Sequence, residues 1–494
     1  PPERHNLDND PPAPNEVNTV ITRGAILLIT VMFTVPSAYP QRVDPSIRPL
    51  PQRTVETDRE ALRLMRNEKL ALVLPGAMRD NNVDMWIHVS RPGDLMEQYF
   101  GSPGGYLIFA DLGETVERAV FGGSAGTVED IDVRGSTNLA RAFHGYNYNN
   151  SDPRQGFSVP NVYDEISDYV AERDPQVIAV NFSDWLPVAD GISHAQFLRL
   201  ENILGPEYSS RIISAEAVIT DFLTRRTARE IAAQTEVLAL ARQRAKQNLA
   251  QVIPGVTTVR DIGARVYYSA TSKPEDTVNE FPPDVRYFLP NPDYVLQPGD
   301  LFVGGSRGEG DPGTYMGFAV DTKIHVYILR EDETRVPDFL QEVFDKAIAG
   351  QWIMRDHMKV GMTGGESLAA MVKAMEDAGY IYTPFIDNGT EDYEMIQEAL
   401  SNTDKPGFSI DNHAMGNTGG DVRVEGPSMA AFRVNTHNLR IQENHIFAFE
   451  YMVHMNIDER PGYPLAFNIS NPQVVTSKGV EFIQPPNEEI FLIH

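Results

Sequence analysis

The sequence predicts an α+β chain in which a smaller α/β domain precedes a larger α+β half. Three observations predict it. Between residues 55 and 214, apolar positions recur first at helical and then at strand spacing, in alternation. A long charged stretch, residues 227–250 (TAREIAAQTEVLALARQRAKQNLA), follows a join near Ser214 and Ala215 and reads as one helix. Beyond it the pattern comes in blocks: strands, two helices, then strands to the last residue.

Taken in order, residues 1–54 form an extension, 55–214 the α/β domain and 215–494 the larger half. Residues 1–19 and 36–52 are proline-rich and irregular. Between them, residues 24–35 (GAILLITVMFTV) follow Arg23 and close on Pro36-Ser37-Ala38, the pattern of a signal peptide. The run is short of the ~20 residues that span a bilayer, and polar, proline-rich residues precede it. It reads either as a signal peptide or anchor, implying a secretory, periplasmic or extracellular protein, or as a buried or interface segment of a cytoplasmic one. No other stable membrane insertion is expected.

In the α/β domain, residues 59–78 have helical periodicity, and Met85-Trp86-Ile87-His88-Val89 reads as a buried strand. Tyr106-Leu107-Ile108-Phe109 and Arg118-Ala119-Val120-Phe121 read as paired strands around a turn at Gly113. A helix over 162–173 leads through Asp174-Pro175 to the strand Val177-Ile178-Ala179-Val180. In the larger half, helices are expected over 336–358 and 366–378, the second stopped by Gly379. Strands are expected within 301–304, 316–329, 445–455 and 473–482.

Composition narrows the function classes. The chain has 494 residues, 41% of them hydrophobic and 22% charged, enough apolar material for a substantial core. A net charge of -27 leaves no basic face for phosphates, so no nucleic-acid partner is expected. With no cysteine, disulfides, thiol nucleophiles and cysteine-bound metals are excluded. Gly361-Met362-Thr363-Gly364-Gly365 opens a helix but lacks the lysine of a phosphate-binding loop, and no Gly-x-Ser-x-Gly elbow presents a serine. Asn181, Asn388 and Asn468 begin glycosylation triplets, which matter only in a secreted chain.

A set of phrases in fixed order carries more information. Met85-Trp86-Ile87 follows AMRDNNVD, and Asp221-Phe222-Leu223-Thr224-Arg225-Arg226 precedes the long helix. Ile253-Pro254-Gly255-Val256-Thr257 and Gln297-Pro298-Gly299-Asp300 come next, then Asp321 with TKIHVYILREDE. Phe447-Ala448-Phe449-Glu450 and Val475-Thr476-Ser477-Lys478-Gly479-Val480-Glu481 complete the series. In this order, over about residues 55–494, they resemble the creatinase, prolidase and aminopeptidase P superfamily, nearest to bacterial Xaa-Pro peptidases. The resemblance implies a carboxy-terminal pita-bread domain behind a creatinase-like amino-terminal one.

It also implies five metal-ligand positions, two Asp, one His and two Glu, holding two divalent ions over one activated water. The first falls on Gly305, which has no side-chain donor; Glu309 or Asp311 could reach back from the glycine-rich insertion that follows. The second falls on Asp321. In Asn412-His413-Ala414-Met415-Gly416-Asn417-Thr418-Gly419-Gly420, either His413 is the substrate-side histidine and Gly420 stands at the ligand position, or His413 is the ligand itself. The fourth position is Glu450, and the fifth is Ser470, a poor ligand. A degenerate site with no cofactor follows as the expectation, with a single divalent metal as the exception.

The superfamily includes creatinase, which the resemblance presents as a metal-independent hydrolase. Glu450, His413, Asp321, His325 and His454 form the candidate acid–base pool, with Lys323, Tyr451 and Asn417 as candidate substrate-binding residues. His325 lies four positions beyond Asp321 and His454 four beyond Glu450, so on strands each histidine would share a face with an acid. Three function classes remain open. One is metal-independent acid–base chemistry on a small C–N-containing or amide-like molecule. The second is an Xaa-Pro metallopeptidase with a rearranged site, and the third a non-catalytic binding protein. The resemblance further implies a homodimer.

Overall fold

A computed structural model describes residues 55–91, 93–101, 103–135, 162–272, 292–304, 320–385, 390–415 and 426–494. The expectations that concern residues 24–35, Gly305, Glu309, Asp311, Asn388, Asn417 and Gly420 lie outside them.

The amino-terminal sheet has six strands: β1 Met85–Val89, β2 Tyr106–Asp111, β3 Val116–Phe121, β4 Asp132–Arg134, β5 Ile178–Val180 and β6 Ile212–Ser214. They lie in the order β4-β3-β2-β1-β5-β6. β2 runs antiparallel to both of its neighbours, β1 and β3, and the remaining pairings are parallel. Strand alternation gives each face its own core. Met85, Ile87, Val89 and Ile108 pack with Ile166, Tyr169 and Leu200 of the helices Val162–Arg173 and His194–Ser209. Trp86, Leu107, Phe109 and Val120 pack on the opposite face with Leu74, Phe222 and Leu238.

The single helix expected over 59–78 is two, Val55–Leu72 and Leu74–Asp80. Pro75 causes the break, because it has no amide hydrogen to give to the preceding turn. The helix His194–Ser209 was not anticipated; it absorbs Gly205 and Pro206 as a kink with φ of 70° at Gly205. Its start is a capping box, Ser193 with Gln196.

The larger half opens with the helices Glu216–Thr224 and Ala228–Leu249, the second begun by a capping box of Thr227 and Glu230. Four strands, β7 Arg265–Tyr268, β8 Leu301–Gly304, β9 Ile324–Ile328 and the terminal Phe491–Ile493, make one sheet. A second sheet is built from β10 Ile381–Tyr382, β11 Gly407–His413, β12 Ser428–Ala430 and two later strands, Glu450–Met455 and Leu465–Ser470. With β13 as Ile446–Phe447, these two are β14 and β15. β13 pairs instead with β16 Gln473–Thr476, which turns at Gly479 into β17 Gly479–Phe482; the terminal strand is β18. The helices Asp338–Met354 and Gly364–Asp377 lie against this half, and the second ends before Gly379 at φ 95°.

Two strand expectations are corrected in extent. Among the described residues of the stretch 316–329, which are 320–329, the strand is Ile324–Ile328, and 445–455 is two strands separated at Phe449, whose φ is 50°. The helix expected to reach 358 ends at Met354 and continues as one 3-10 turn, Arg355–His357. The first sheet closes at Ser214, but hydrophobic packing continues across that point, joining Trp86 and Phe109 to Phe222, Ile446 and Val474. No described helix is long and apolar enough to cross a membrane.

Candidate functional site

The site grows from the alternation of β11, β14 and β15. Antiparallel registers set Ser409 opposite Met452 and Met452 opposite Asn468; they also set Glu450 opposite Ser470. One step beyond the paired Ile410 and Tyr451, Asp411 comes opposite Glu450. Side chains of directly opposed residues point to the same face. Ser409, Asp411, His413, Glu450, Met452, His454, Asn468 and Ser470 therefore share one face of the sheet. The intervening residues, Phe408, Ile410, Tyr451, Val453, Phe467 and Ile469, form the other, packed with Phe344 and Ala347 of the helix Asp338–Met354. One face is core; the opposite one is buried yet polar.

Asp321 and Lys323, just ahead of β9, complete this polar face. The Lys323 ammonium donates to both Asp321 oxygens at 2.6 and 2.8 Å and lies 3.3 Å from Glu450 Oε1. Asn468 Nδ2 donates to the same Glu450 oxygen at 2.9 Å, and His413 Nε2 is 3.9 Å from the other. The Asp321 and Glu450 carboxyls thus share one ammonium. Burial raises the Asp321 carboxyl above its ordinary value, and the neighbouring Glu450 charge adds to this, more than Lys323 offsets. Burial also pushes Glu450 up, but Lys323, His413 and Asn468 together outweigh it and hold that carboxyl below its ordinary value. Two carboxyls that share one ammonium are thus driven in opposite directions.

The backbone beneath is held from several sides. Arg242 donates to Thr322 Oγ1 at 3.1 Å and to Asn471 Oδ1 at 3.0 Å. Asn487 donates to the Lys323 carbonyl at 2.7 Å. Ser470 Oγ donates to the carbonyls of Ala448 at 3.0 Å and Asp321 at 3.3 Å, so its hydroxyl ties strand to loop. Asp411 is paired with Arg433 at 2.8 Å.

The two strand-face histidines do not meet their expected acids. The His325 ring Nε2 pairs with the Asn468 carbonyl at 3.0 Å, and the ring stacks on Tyr267 near Phe344 and Phe467. His454 faces Ser409 Oγ at 3.3 Å and the edge of Phe385. Burial pushes both rings down to about 3, which leaves them neutral core residues. His454 shares β14 with Glu450, and His325 follows Asp321 into β9, but aromatic rings pack against each imidazole. Tyr451 points to the helix side instead of the polar face, and its hydroxyl donates to the Ala347 carbonyl. That follows from its odd offset from Glu450.

Asn468 and Asp411 were missed. The buried asparagine in the apolar run LAFNIS was the available signal, and reading it as a glycosylation triplet hid it. Asn468 is 1% exposed, as deep as Asn181, whose amide bonds both backbone groups of Val89. Neither can accept a glycan in the folded chain. Among the described residues, no three His, Asp or Glu side chains come together in a group that could hold a metal ion.

No protein-family model and no curated protein matches the chain. Among solved structures it is similar to an X-Pro aminopeptidase from Thermotoga maritima, at 16% identity and TM-score 0.47, over 85% of this chain and 100% of that one. It is also similar to the dipeptidase PepE of Mycobacterium ulcerans, at 15% identity and TM-score 0.48, over 87% and 98%. A third is the prolidase of Pyrococcus horikoshii, at 13% identity and TM-score 0.45, over 86% and 100%.

Proposed function

We propose that the chain is a pita-bread-type enzyme that performs acid–base hydrolysis of a small C–N-containing or amide-like molecule without a divalent metal pair. The observation that carries this reading is that Asp321 and Glu450 share the Lys323 ammonium in one buried polar site, with His413 beside Glu450. Burial raises Asp321 while Lys323, His413 and Asn468 lower Glu450, so Asp321 is the better proton donor and Glu450 the better acceptor. Asp321 is the acid and Glu450 the base. Glu450 takes a proton from a water that adds to the carbon of the C–N bond. As that bond breaks, the Asp321 carboxyl protonates the leaving nitrogen, and transfer of the proton from Glu450 to Asp321 restores the site. Lys323 beside both oxygens steadies the negative charge throughout.

The described donors do not suit a metal pair. Ser470 holds two backbone carbonyls with its hydroxyl, and Lys323 stands against the two carboxylates. The neighbours' names point to a different substrate, the Xaa-Pro dipeptide, and the test sets the two readings apart. Small amides, ureas, guanidino acids and Xaa-Pro dipeptides are incubated with purified protein, with and without EDTA, and amine or ammonia release is followed. The expected result is release from a non-dipeptide that EDTA does not affect. Glu450→Gln, which keeps the volume and removes the base, should lower that turnover by at least ~100-fold. EDTA-abolished dipeptide cleavage, no turnover across the panel, or an unimpaired Glu450→Gln would each overturn the reading.

A further inference from the structure

Asp321 and Glu450 are 6% and 9% exposed. Ionised carboxylates at that depth need a cation, because leaving water uncompensated is prohibitively costly. The chain supplies one from its own sequence, and we infer that Lys323 is a built-in cation whose ammonium fills the place between Asp321 and Glu450 and keeps divalent metal out. The inference concerns what occupies the site and stands whether or not the proposed reaction follows.

The position of that ammonium is imposed, not incidental. Lys323 lies two residues beyond Asp321, and its own carbonyl is held by Asn487 at 2.7 Å. Thr322 between them is held by Arg242 at 3.1 Å. With its backbone fixed on both sides, the stem carries Nζ to 2.6 and 2.8 Å from the Asp321 oxygens and 3.3 Å from Glu450. A divalent ion bound to both carboxylates would stand ~2.0–2.2 Å from their oxygens, in the volume the ammonium occupies. The other donors at hand are His413, 3.9 Å from Glu450, and the Asn468 amide on Glu450 Oε1. Removing the ammonium leaves the two carboxylates that flanked it, hard oxygen donors of the type that divalent ions accept, with water to complete the coordination.

The test is Mn²⁺ uptake by the full chain after chelator treatment, read by isothermal titration and by the shift in melting temperature. Wild-type protein should show no saturable uptake at millimolar Mn²⁺. Lys323→Ala should take up one equivalent per chain, at least ~30-fold more tightly than wild type. That factor is the repulsion between a unit charge and a dication ~4 Å apart even at the dielectric of water. Lys323→Arg, which keeps the charge, should take up none, and Glu450→Gln in the Lys323→Ala background should abolish the gain. A purely structural lysine would leave Mn²⁺ uptake unchanged in every variant. Saturable uptake by wild type or by Lys323→Arg overturns the inference, as does a folded Lys323→Ala that gains nothing. If circular dichroism shows Lys323→Ala unfolded, the wild-type and Lys323→Arg titrations still decide it by the same criterion.

Discussion

Lowering the pH from 7 to 5 should destabilise this protein through its core histidines, before ordinary carboxylates titrate. In the unfolded chain an imidazole protonates near 6.5, whereas burial holds His325 and His454 down to about 3. Between those values the unfolded state binds more protons, so stability is full above pH 6.5 and falls as the pH drops below it. At ~1.36 kcal/mol per pH unit, each ring contributes a loss of about 2 kcal/mol by pH 5, and the pair about 4 kcal/mol. His445, lowered by burial, acts in the same sense, and Asp321, raised by burial, acts against it. Against a total stability of ~5–15 kcal/mol the effect is large. The assay is urea unfolding at pH 7 and pH 5, followed by the fluorescence of Trp86, Trp185 and Trp352. His454→Met should remove about 2 kcal/mol of the pH-dependent loss, because its ring no longer exists to be protonated. Equal stability at the two pH values, or an undiminished loss in His454→Met, would refute the placement of these rings as neutral core residues.

Two further substitutions test the packing that supports the site. Lys69, 1% exposed on the first helix, donates to Glu230 at 3.0 and 3.1 Å, and to the Arg225 carbonyl at 2.7 Å. Lys69→Met leaves the Glu230 charge buried and should cost ~3–5 kcal/mol in urea unfolding at pH 7; a loss under about 1 kcal/mol would mean that Glu230 readily finds another donor. A Cβ added at Gly350 would stand 2.9 Å from Tyr451 Cε2, in the helix that backs the site. Gly350→Ala should therefore lower the melting temperature, overpacking of ~1–3 kcal/mol exceeding the helix-propensity gain of ~1 kcal/mol. A rise in melting temperature would show that Tyr451 yields freely.

What the sequence determined by itself is what local periodicity and ordered phrases can carry. The strand Met85–Val89, the helix Val162–Arg173 and the long capped helix ending at Leu249 all follow from the spacing of apolar side chains, and the structure has them at nearly those limits. The α+β class follows from their order, and Glu450 stood out because an acid inside IFAFEYMV requires a partner. Which partner it has was decided only by the tertiary structure. Equal offsets of four offered His454 to Glu450 and His325 to Asp321, but spacing within one strand says nothing of what the neighbouring strand brings. Cross-strand register places Asp411, Ser470 and Asn468 around Glu450, and the approach of the segment before β9 brings in Lys323. The histidines, four residues further along the chain from each acid, fall among Tyr267, Phe344, Phe467 and Phe385, where an imidazole is held neutral by desolvation. Lys323 reaches Glu450 from over a hundred residues away in sequence, and folding alone sets that distance.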